Sequence, residues 1–530
     1  MTCSKACDII FLMKPIATDT STFTKLIEGG YAYVDKTAYL HRLISGIDGS
    51  QFFLARPRRF GKSLTLSTLQ AIFEARRELF KGLAIDKSDY DWQKYPVIRL
   101  DMSTAQAETL ENFHIQVWTT MRLEAERIGL KLEETLSLPA ALQTLISNAV
   151  KISPSGKVVL LIDEYDKPLL GHLCRPTVEA FRAELKAFYS VIKASESLLR
   201  FSFITGVSKF SKVSIFSDLN NLVDLTMSAE YATMLGYTHE EVLSNFGEKI
   251  EALGAANGMT SEEAFQQIVR MYDGYRFHYA AKLVINPVSL GRCLASREFN
   301  SWWYETGTPT FLVEMLKERP MDISCLEVSD SELGSYEPSN PSLVPLLFQT
   351  GYLTIKELQT VGGRKFYKLG FPNLEVAEAF NDSLLTVYSP MANYEYVAIR
   401  NSCWRAIGEH DIEGFFEAME PIFANIPYDL TDRQNEQTWQ AIVVVIMRFI
   451  GLNVIPEERT NRGRIDFVMD TGKEIYLVEM KLDKTAEEAL QQIKTKGYAE
   501  KYRASNKRVT LIGINFDSKL RTIGKPAFEE

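Results

Sequence analysis

The run Arg56-Pro-Arg-Arg-Phe-Gly-Lys-Ser63 directly follows the apolar stretch Phe52-Phe-Leu-Ala55, and this junction constrains the fold most. Read as strand, loop and helix start, it nearly fits the phosphate-loop pattern G-x-x-x-x-G-K-[ST], with Arg56 at the first position in place of glycine. In such a loop, successive backbone N–H groups and the following helix N-terminus hold phosphates. Lys62 is then expected to reach the β- and γ-phosphates of ATP, and the Ser63 hydroxyl to sit on Mg²⁺. Arg56, Pro57, Arg58, Arg59, Phe60, Gly61 and Leu64 complete the expected nucleotide contacts.

A loop of this kind implies a parallel sheet behind it. Pro96–Asp101, Lys157–Glu164 and Leu199–Thr205 are near-continuous Val/Ile/Leu/Phe runs, separated by helical stretches at 106–127, 138–149 and 175–196. Strands that read this way are covered on both faces. Asn221–Thr226 supplies a fifth run, giving a five-stranded α/β layer. Ligands in such layers bind at the carboxyl ends of the strands, where Lys62, Asp163, Glu164 and Thr205 fall. Asp163 suits Mg²⁺ and Glu164 suits polarisation of the attacking water. Thr205 is placed to sense the γ-phosphate. Arg56, Arg58 and Arg59 either touch phosphate, pair with acids elsewhere, or are solvated. Arg276, in Tyr272-Asp-Gly-Tyr-Arg-Phe277, is either an arginine reaching ATP from a lid or part of a turn.

At 530 residues the chain exceeds a single core. The boundaries read as 1–235 for the phosphate-loop domain, 236–285 for a helical lid and 286–373 for a winged-helix-like module. A helical linker at 374–430 and a C-terminal α/β domain at 431–530 follow. The Gly362-Gly363 pair marks a hairpin in the third of these, and 326–344 reads as a polar loop. A net charge of −9 gives no global attraction to nucleic acid or anionic membrane. Six scattered cysteines suit a reducing cytoplasm. No run approaches the ~20 apolar residues of a membrane span, so the expectation is cytoplasmic, with no membrane partner.

The C-terminal domain carries a second constellation. Arg462-Gly-Arg-Ile-Asp466-Phe-Val-Met alternates as a strand, Asp470–Glu474 turns, and Ile475-Tyr-Leu-Val-Glu479-Met-Lys481 returns. Alternation sends Glu479 and Lys481 to one side, and the hairpin brings Asp466 to them. Two carboxylates and a lysine on an apolar-backed face are costly. Metal-assisted phosphodiester hydrolysis explains them, with carboxylates on Mg²⁺ and Lys481 orienting water. Glu436, opening a helix, adds a third carboxylate, and Gln492 on a later helix contacts substrate or orients Lys481. From Lys481 to Lys525 there are eleven Lys/Arg against five Asp/Glu, a basic surface suited to a phosphate backbone or a solvated helix face.

Three stretches together, Tyr33-Val-Asp-Lys-Thr…Arg56–Leu64, Leu161-Ile-Asp-Glu-Tyr-Asp-Lys-Pro168 and Tyr272–Phe277, resemble a bacterial family across nearly the whole chain. That family joins an AAA-ATPase-like domain to a C-terminal PD-(D/E)XK nuclease domain. Arginine at the first loop position belongs to its pattern, and Asp466-x₁₂-Glu479-x-Lys481 matches its nuclease core. The resemblance implies an ATPase coupled to a metal-dependent nuclease acting on nucleic acid, DNA foremost. A homo-oligomer is compatible with such an ATPase. The alternative is a nucleotide-dependent switch or scaffold whose nuclease-like domain binds nucleic acid without cutting.

Overall fold

The computed structural model describes residues 14–133, 137–210, 221–303, 315, 326–334, 336, 338, 342–426, 436–460, 463–502, 507–520 and 522–530. Cys3, Cys7, Cys325, Tyr304, Arg462, Arg503 and Arg521 lie outside the described residues, as do the N-terminal apolar patch and 427–435. Two compact units emerge, one formed by Met1–Trp303 with Ser324–Glu375, the other by Tyr304–Ile323 with Val376–Glu530. Among the described residues, no helix is long and apolar enough to cross a membrane.

The first unit is built on a parallel sheet of β1 (Gln51–Ala55), β2 (Val97–Asp101), β3 (Val158–Asp163), β4 (Leu199–Gly206) and β5 (Val223–Asp224). Their order is β2-β3-β4-β1-β5. Every residue of β1 and β3 is buried, as the apolar runs require of strands with helices on both faces. β4 lies between β1 and β3, pairing Leu54 with Thr205 and Ile162 with Ile204. The phosphate-loop strand and the acid-bearing strand are therefore one strand apart, with carboxyl ends at the same edge.

Helices His239–Ala256 and Ser261–Tyr272 belong to this unit, each opened by a capping box, at Thr238/Glu241 and Thr260/Glu263. Beyond them the hairpin β7 (Thr354–Val361) and β8 (Arg364–Gly370) closes on Gly362 and Gly363, both at positive φ (57° and 77°). That is the geometry a two-residue hairpin turn needs. The segment 326–344 corrects the expectation of a loop. Leu326–Ser329 forms β6, paired antiparallel with β8, and a capping box at Ser329/Glu332 starts a helical turn. Hydrophilic composition hid a short edge strand.

In the second unit, helices Asn393–Glu409 and Ile412–Ala424 precede a mixed sheet. Its strands are β9 (Asn453–Thr460), β10 (Gly463–Asp470), β11 (Glu474–Leu482), β12 (Arg508–Asp517), β13 (Thr522–Ile523) and β14 (Ala527–Glu529). The order is β13-β12-β11-β10-β9, with β14 on β12. Only β11 and β12 run parallel among these pairs, and the connecting helix Ala486–Lys496 makes the crossover such a pair demands. Ile465, Val468, Ile475, Leu477, Ile493 and Tyr498 close a core beneath it. Helix Glu436–Phe449 is fastened by Trp439, 1% exposed, whose ring stacks on Phe516 of β12 at 3.7 Å.

Trp439→Ala should therefore remove about 3–5 kcal/mol from the second unit. Denaturant unfolding of the full chain, followed by hydrogen exchange over 436–530, should show an earlier transition there and an unmoved one in the first unit.

Candidate functional site

The first site forms where β1 turns into helix Lys62–Phe73. Gly61, at φ 95°, lets the backbone reverse into the helix N-terminus. The Lys62 ammonium donates to the carbonyls of Arg56 (3.0 Å) and Pro57 (3.1 Å) and lies 3.9 Å from Glu164 Oε1. The Ser63 hydroxyl lies beside the Asp163 carboxyl. Burial raises the Asp163 carboxyl above its ordinary range, with the Ser63 hydroxyl and the Lys62 charge opposing. Glu164 stands at the end of β3 with φ 51°, a left-handed backbone that is costly for a non-glycine residue. A cavity of about 400 Å³ is lined by Arg58, Arg59, Phe60, Gly61, Lys62, Ser63, Leu64 and Glu164 on its phosphate-loop side. Tyr33, Leu235, Tyr237 and Pro287 are among its other walls.

The three loop arginines have different fates. Arg56, 1% exposed, is turned away from the cavity. Its guanidinium donates to the carbonyls of Ala55, Thr226 and Tyr231 and lies 4.1 Å from the Phe277 ring centroid. Its backbone N–H is also committed, to Gly206 O at 3.1 Å. The expected phosphate contact of Arg56 is thus corrected to a structural one. Burial pulls its pKa down to about 9, against the attraction of Asp224. Arg59 lines the cavity and donates to Trp302 O at 3.3 Å. Arg58 lines it with no hydrogen bond or ion pair among the described residues.

Pro57 is buried outside the lining and contributes its carbonyl to Lys62. Phe60 packs edge-on against Tyr275 (4.8 Å) and Phe277 (5.3 Å), which joins the loop to the Tyr272–Phe277 segment. Thr205 does not enter the cavity. Its hydroxyl is fully buried and donates to Leu54 O at 2.8 Å, bracing β4 on β1. Arg276 does not line the cavity; its N–H donates to Thr354 Oγ1 (2.7 Å) and its Nη1 to Lys356 O (3.2 Å), both on β7. Asp166 was not singled out as a site residue. Fully buried, it accepts from the N–H groups of Val207 and Ser208 and fixes the chain after β4. Its spacing three residues after Asp163 was the available signal.

The second site lies on β10 and β11, whose register puts Phe467 opposite Val478. One step on, Asp466 faces Glu479, and Asp466 Oδ2 accepts the Met480 N–H at 2.8 Å. Glu479, 1% exposed, receives Lys481 at 3.4 Å and Gln492 Nε2 on Oε1. Its Oε2 is buried with no hydrogen-bond partner. Lys481 also lies 3.8 Å from Glu436. Burial raises both carboxyls, their mutual repulsion adds to the rise at Glu479, and Lys481 opposes it. A buried carboxylate oxygen lacking a donor, beside a second raised carboxyl, fits a bound cation. The fit is a two-carboxylate one. No group of three or more His, Cys, Asp or Glu placed to hold a metal occurs among the described residues.

Gln492 thus holds Glu479 rather than Lys481. Tyr498 had not been singled out; its hydroxyl donates to Arg464 O at 2.9 Å, and its position one turn past the Gln492 helix was the signal. The adjacent groove of about 560 Å³ is lined by Lys481, Asp483, Lys484, Thr485, Glu488 and Gln492. The basic segment is largely neutralised by ion pairs to Glu529, Glu458, Asp470, Glu530 and Glu413. Lys484, on the groove, has no ion pair among the described residues.

Residues 15–216 match the family described as "Predicted AAA-ATPase", and 434–526 match the PD-(D/E)XK nuclease superfamily. A relative from Azotobacter chroococcum mcd 1, "Uncharacterized protein in vnfD 5'region", is 35% identical over 523 residues, covering 96% of this chain and 98% of its own length. The chain belongs to this AAA-ATPase-like family with a PD-(D/E)XK domain. Membership accounts for both sites on one chain, while the chemistry of each rests on the geometry above.

Three outcomes follow from the site geometry. Arg56→Gly, which restores the common loop pattern, should lower the stability of the first unit by about 1–3 kcal/mol, because it orphans buried carbonyls. Thermal unfolding with and without ATP measures this. At the second site, Asp466 is raised to about 6 and Glu479 to about 7. Both must lose protons to bind a cation, so Mg²⁺ or Mn²⁺ affinity should climb as pH rises through these values and level above them. In the metal-free chain the sign is opposite, since raised carboxyls contribute stability at low pH that is lost over the same rise. Calorimetric titration of the metal across this range tests the first, and denaturant unfolding the second.

Proposed function

We propose that the first unit binds and hydrolyses ATP and that the second is a metal-dependent nuclease that cuts phosphodiester bonds, with DNA as the expected substrate. The observation that carries the nuclease reading is the buried, undonated Glu479 Oε2 beside Asp466 and Lys481. The Lys62 ammonium and the Glu164 carboxyl 3.9 Å from it, on one cavity with Ser63, support the ATPase reading.

At the first site, Lys62 exchanges its carbonyl partners for phosphate oxygens, a stronger charge-assisted bond. Arg58 adds its charge from the same wall. Ser63 and Asp163 would hold Mg²⁺, and Glu164 takes the proton of the attacking water. At the second, Asp466 and Glu479 would hold Mg²⁺, with Glu436 near enough to Lys481 to join them. Bound there, Mg²⁺ polarises the scissile phosphate and lowers the pKa of the attacking water. Gln492 fixes the Glu479 carboxylate, Lys481 orients the water and steadies developing charge, and Lys484 meets the backbone phosphates.

One observation favours a second reading. Only two carboxylates converge closely among the described residues, which suits a nucleotide-dependent scaffold that binds nucleic acid without cleaving it. Cleavage assays separate the two. Lys62→Ala should lower ATP turnover about 100-fold or more, read as phosphate release. Asp466→Ala and Lys481→Ala should each lower cutting of duplex DNA, single-stranded DNA or RNA by a similar factor while ATP turnover persists. Cleavage that survives both substitutions would overturn the site. Nucleic acid bound but uncut at every metal concentration would establish the scaffold.

A further inference from the structure

Glu375 is a buried acid that neither site uses. It is 1% exposed, in the first turn of helix Leu374–Tyr388. Its Oε1 accepts the Trp303 N–H at 2.5 Å and the Ser289 hydroxyl at 3.2 Å. Burial raises its pKa to about 7, with those bonds, the Trp302 N–H and the Arg59 charge opposing. A helix N-terminus favours a carboxylate only weakly, too little to explain the removal of a charge from water. The ionisable groups that feel it are Arg59 from the phosphate loop, Tyr272 at the end of helix Ser261–Tyr272, Tyr275 just after it, and Cys293 from helix Pro287–Ser296.

Two further facts give this acid a role. Arg59 is the loop arginine with a left-handed backbone, φ 67°. It lines the cavity and donates to the carbonyl of Trp302, the residue before the one Glu375 holds. The chain also leaves the first unit after Trp303 and again after Glu375. The loop arginine, the backbone it grips and the acid that fixes that backbone thus form one network, and both exits of the chain are members of it.

We infer that Glu375 is a positioning residue of the phosphate loop. Through the Trp302–Trp303 backbone it sets where Arg59 rests, and a triphosphate that draws Arg59 off Trp302 alters the network at both chain exits. This rests on the ATP-site reading above. The driving force is competition for one guanidinium, since a triphosphate carries more charge than a carbonyl and a single partly neutralised acid. Nucleotide thus competes with the Trp302 carbonyl for Arg59.

Trp302 is a built-in reporter, six tryptophans being present in all. Tryptophan emission of the full chain is measured with Mg²⁺-ATP at saturation, and saturation is fixed for each variant by equilibrium dialysis. Wild type should change emission, and Trp302→Phe should remove that change. Glu375→Gln and Arg59→Ala should each shrink it at least about threefold, and the double variant should be no worse than either single one. Ser289→Ala removes one bond and should give an intermediate response, which guards against a Glu375→Gln chain that fails to fold. A full emission change in Glu375→Gln or Ser289→Ala, additive effects, or a silent wild type at saturation overturns the inference while the ATP site stands. No ATP retained in dialysis overturns both.

Discussion

The first unit depends on the spacing its sheet sets between two strands that are not neighbours. Ser63, at the start of the helix after β1, meets Asp163 at the end of β3, and the sheet order makes this possible by placing β4 between them. Were β1 and β3 adjacent, about 4.8 Å apart, loop and acid would crowd each other; one strand farther away, they would not meet. Thr205 serves that spacing. Its hydroxyl is spent on Leu54 O, across the β4–β1 seam that sets the distance. The strand-end threonine is therefore a brace of the sheet.

The second unit solves a related problem differently. Asp466 and Glu479 are held close and mostly out of water; burial raises both, with the Asp466 charge adding to the rise at Glu479 and the Glu436 charge to that at Asp466. Lys481 and Gln492 relieve Glu479 on one oxygen only. The leftover demand on the other oxygen is a preference for positive charge that the fold has not met from its own side chains. Removing such charges from water costs several kcal/mol per ion, so the arrangement is a liability for stability that makes sense as a binding device. The nearby basic residues do not discharge it, because most are paired with glutamates and aspartates of the same unit.

Much of this was legible in the sequence because strands buried on both faces must be apolar throughout, and β1 to β4 read directly from that rule. Asp466, Glu479 and Lys481 were legible because strand alternation and a turn suffice to bring them together. Strand β9 was not: Pro456, Glu458 and Arg459 give it the polar, proline-bearing character of an edge. Leu326–Ser329 escaped for the same reason. Asp166 and Glu375 were hidden more deeply. Their burial comes from contacts distant in sequence, to Val207 and Ser208 in one case and to Ser289 and Trp303 in the other. A carboxylate in a sequence carries no mark of whether it will be solvated or enclosed.

The arginines of the loop show where that limit bites. Arg56, Arg58 and Arg59 share composition, neighbourhood and charge, yet one is a buried strut, one faces the cavity and one is tied to Trp302. Backbone direction decides it. Arg56 still follows the strand, its N–H in the ladder to Gly206, so its side chain enters the core, where carbonyls of Ala55, Thr226 and Tyr231 must replace water. By Arg59 the chain has swung into the left-handed region and the side chain is thrown toward the Trp302 backbone. Glycine at position 56 would leave those carbonyls without their cation. The arginine that departs from the common loop pattern is best understood as part of the wall that holds this loop.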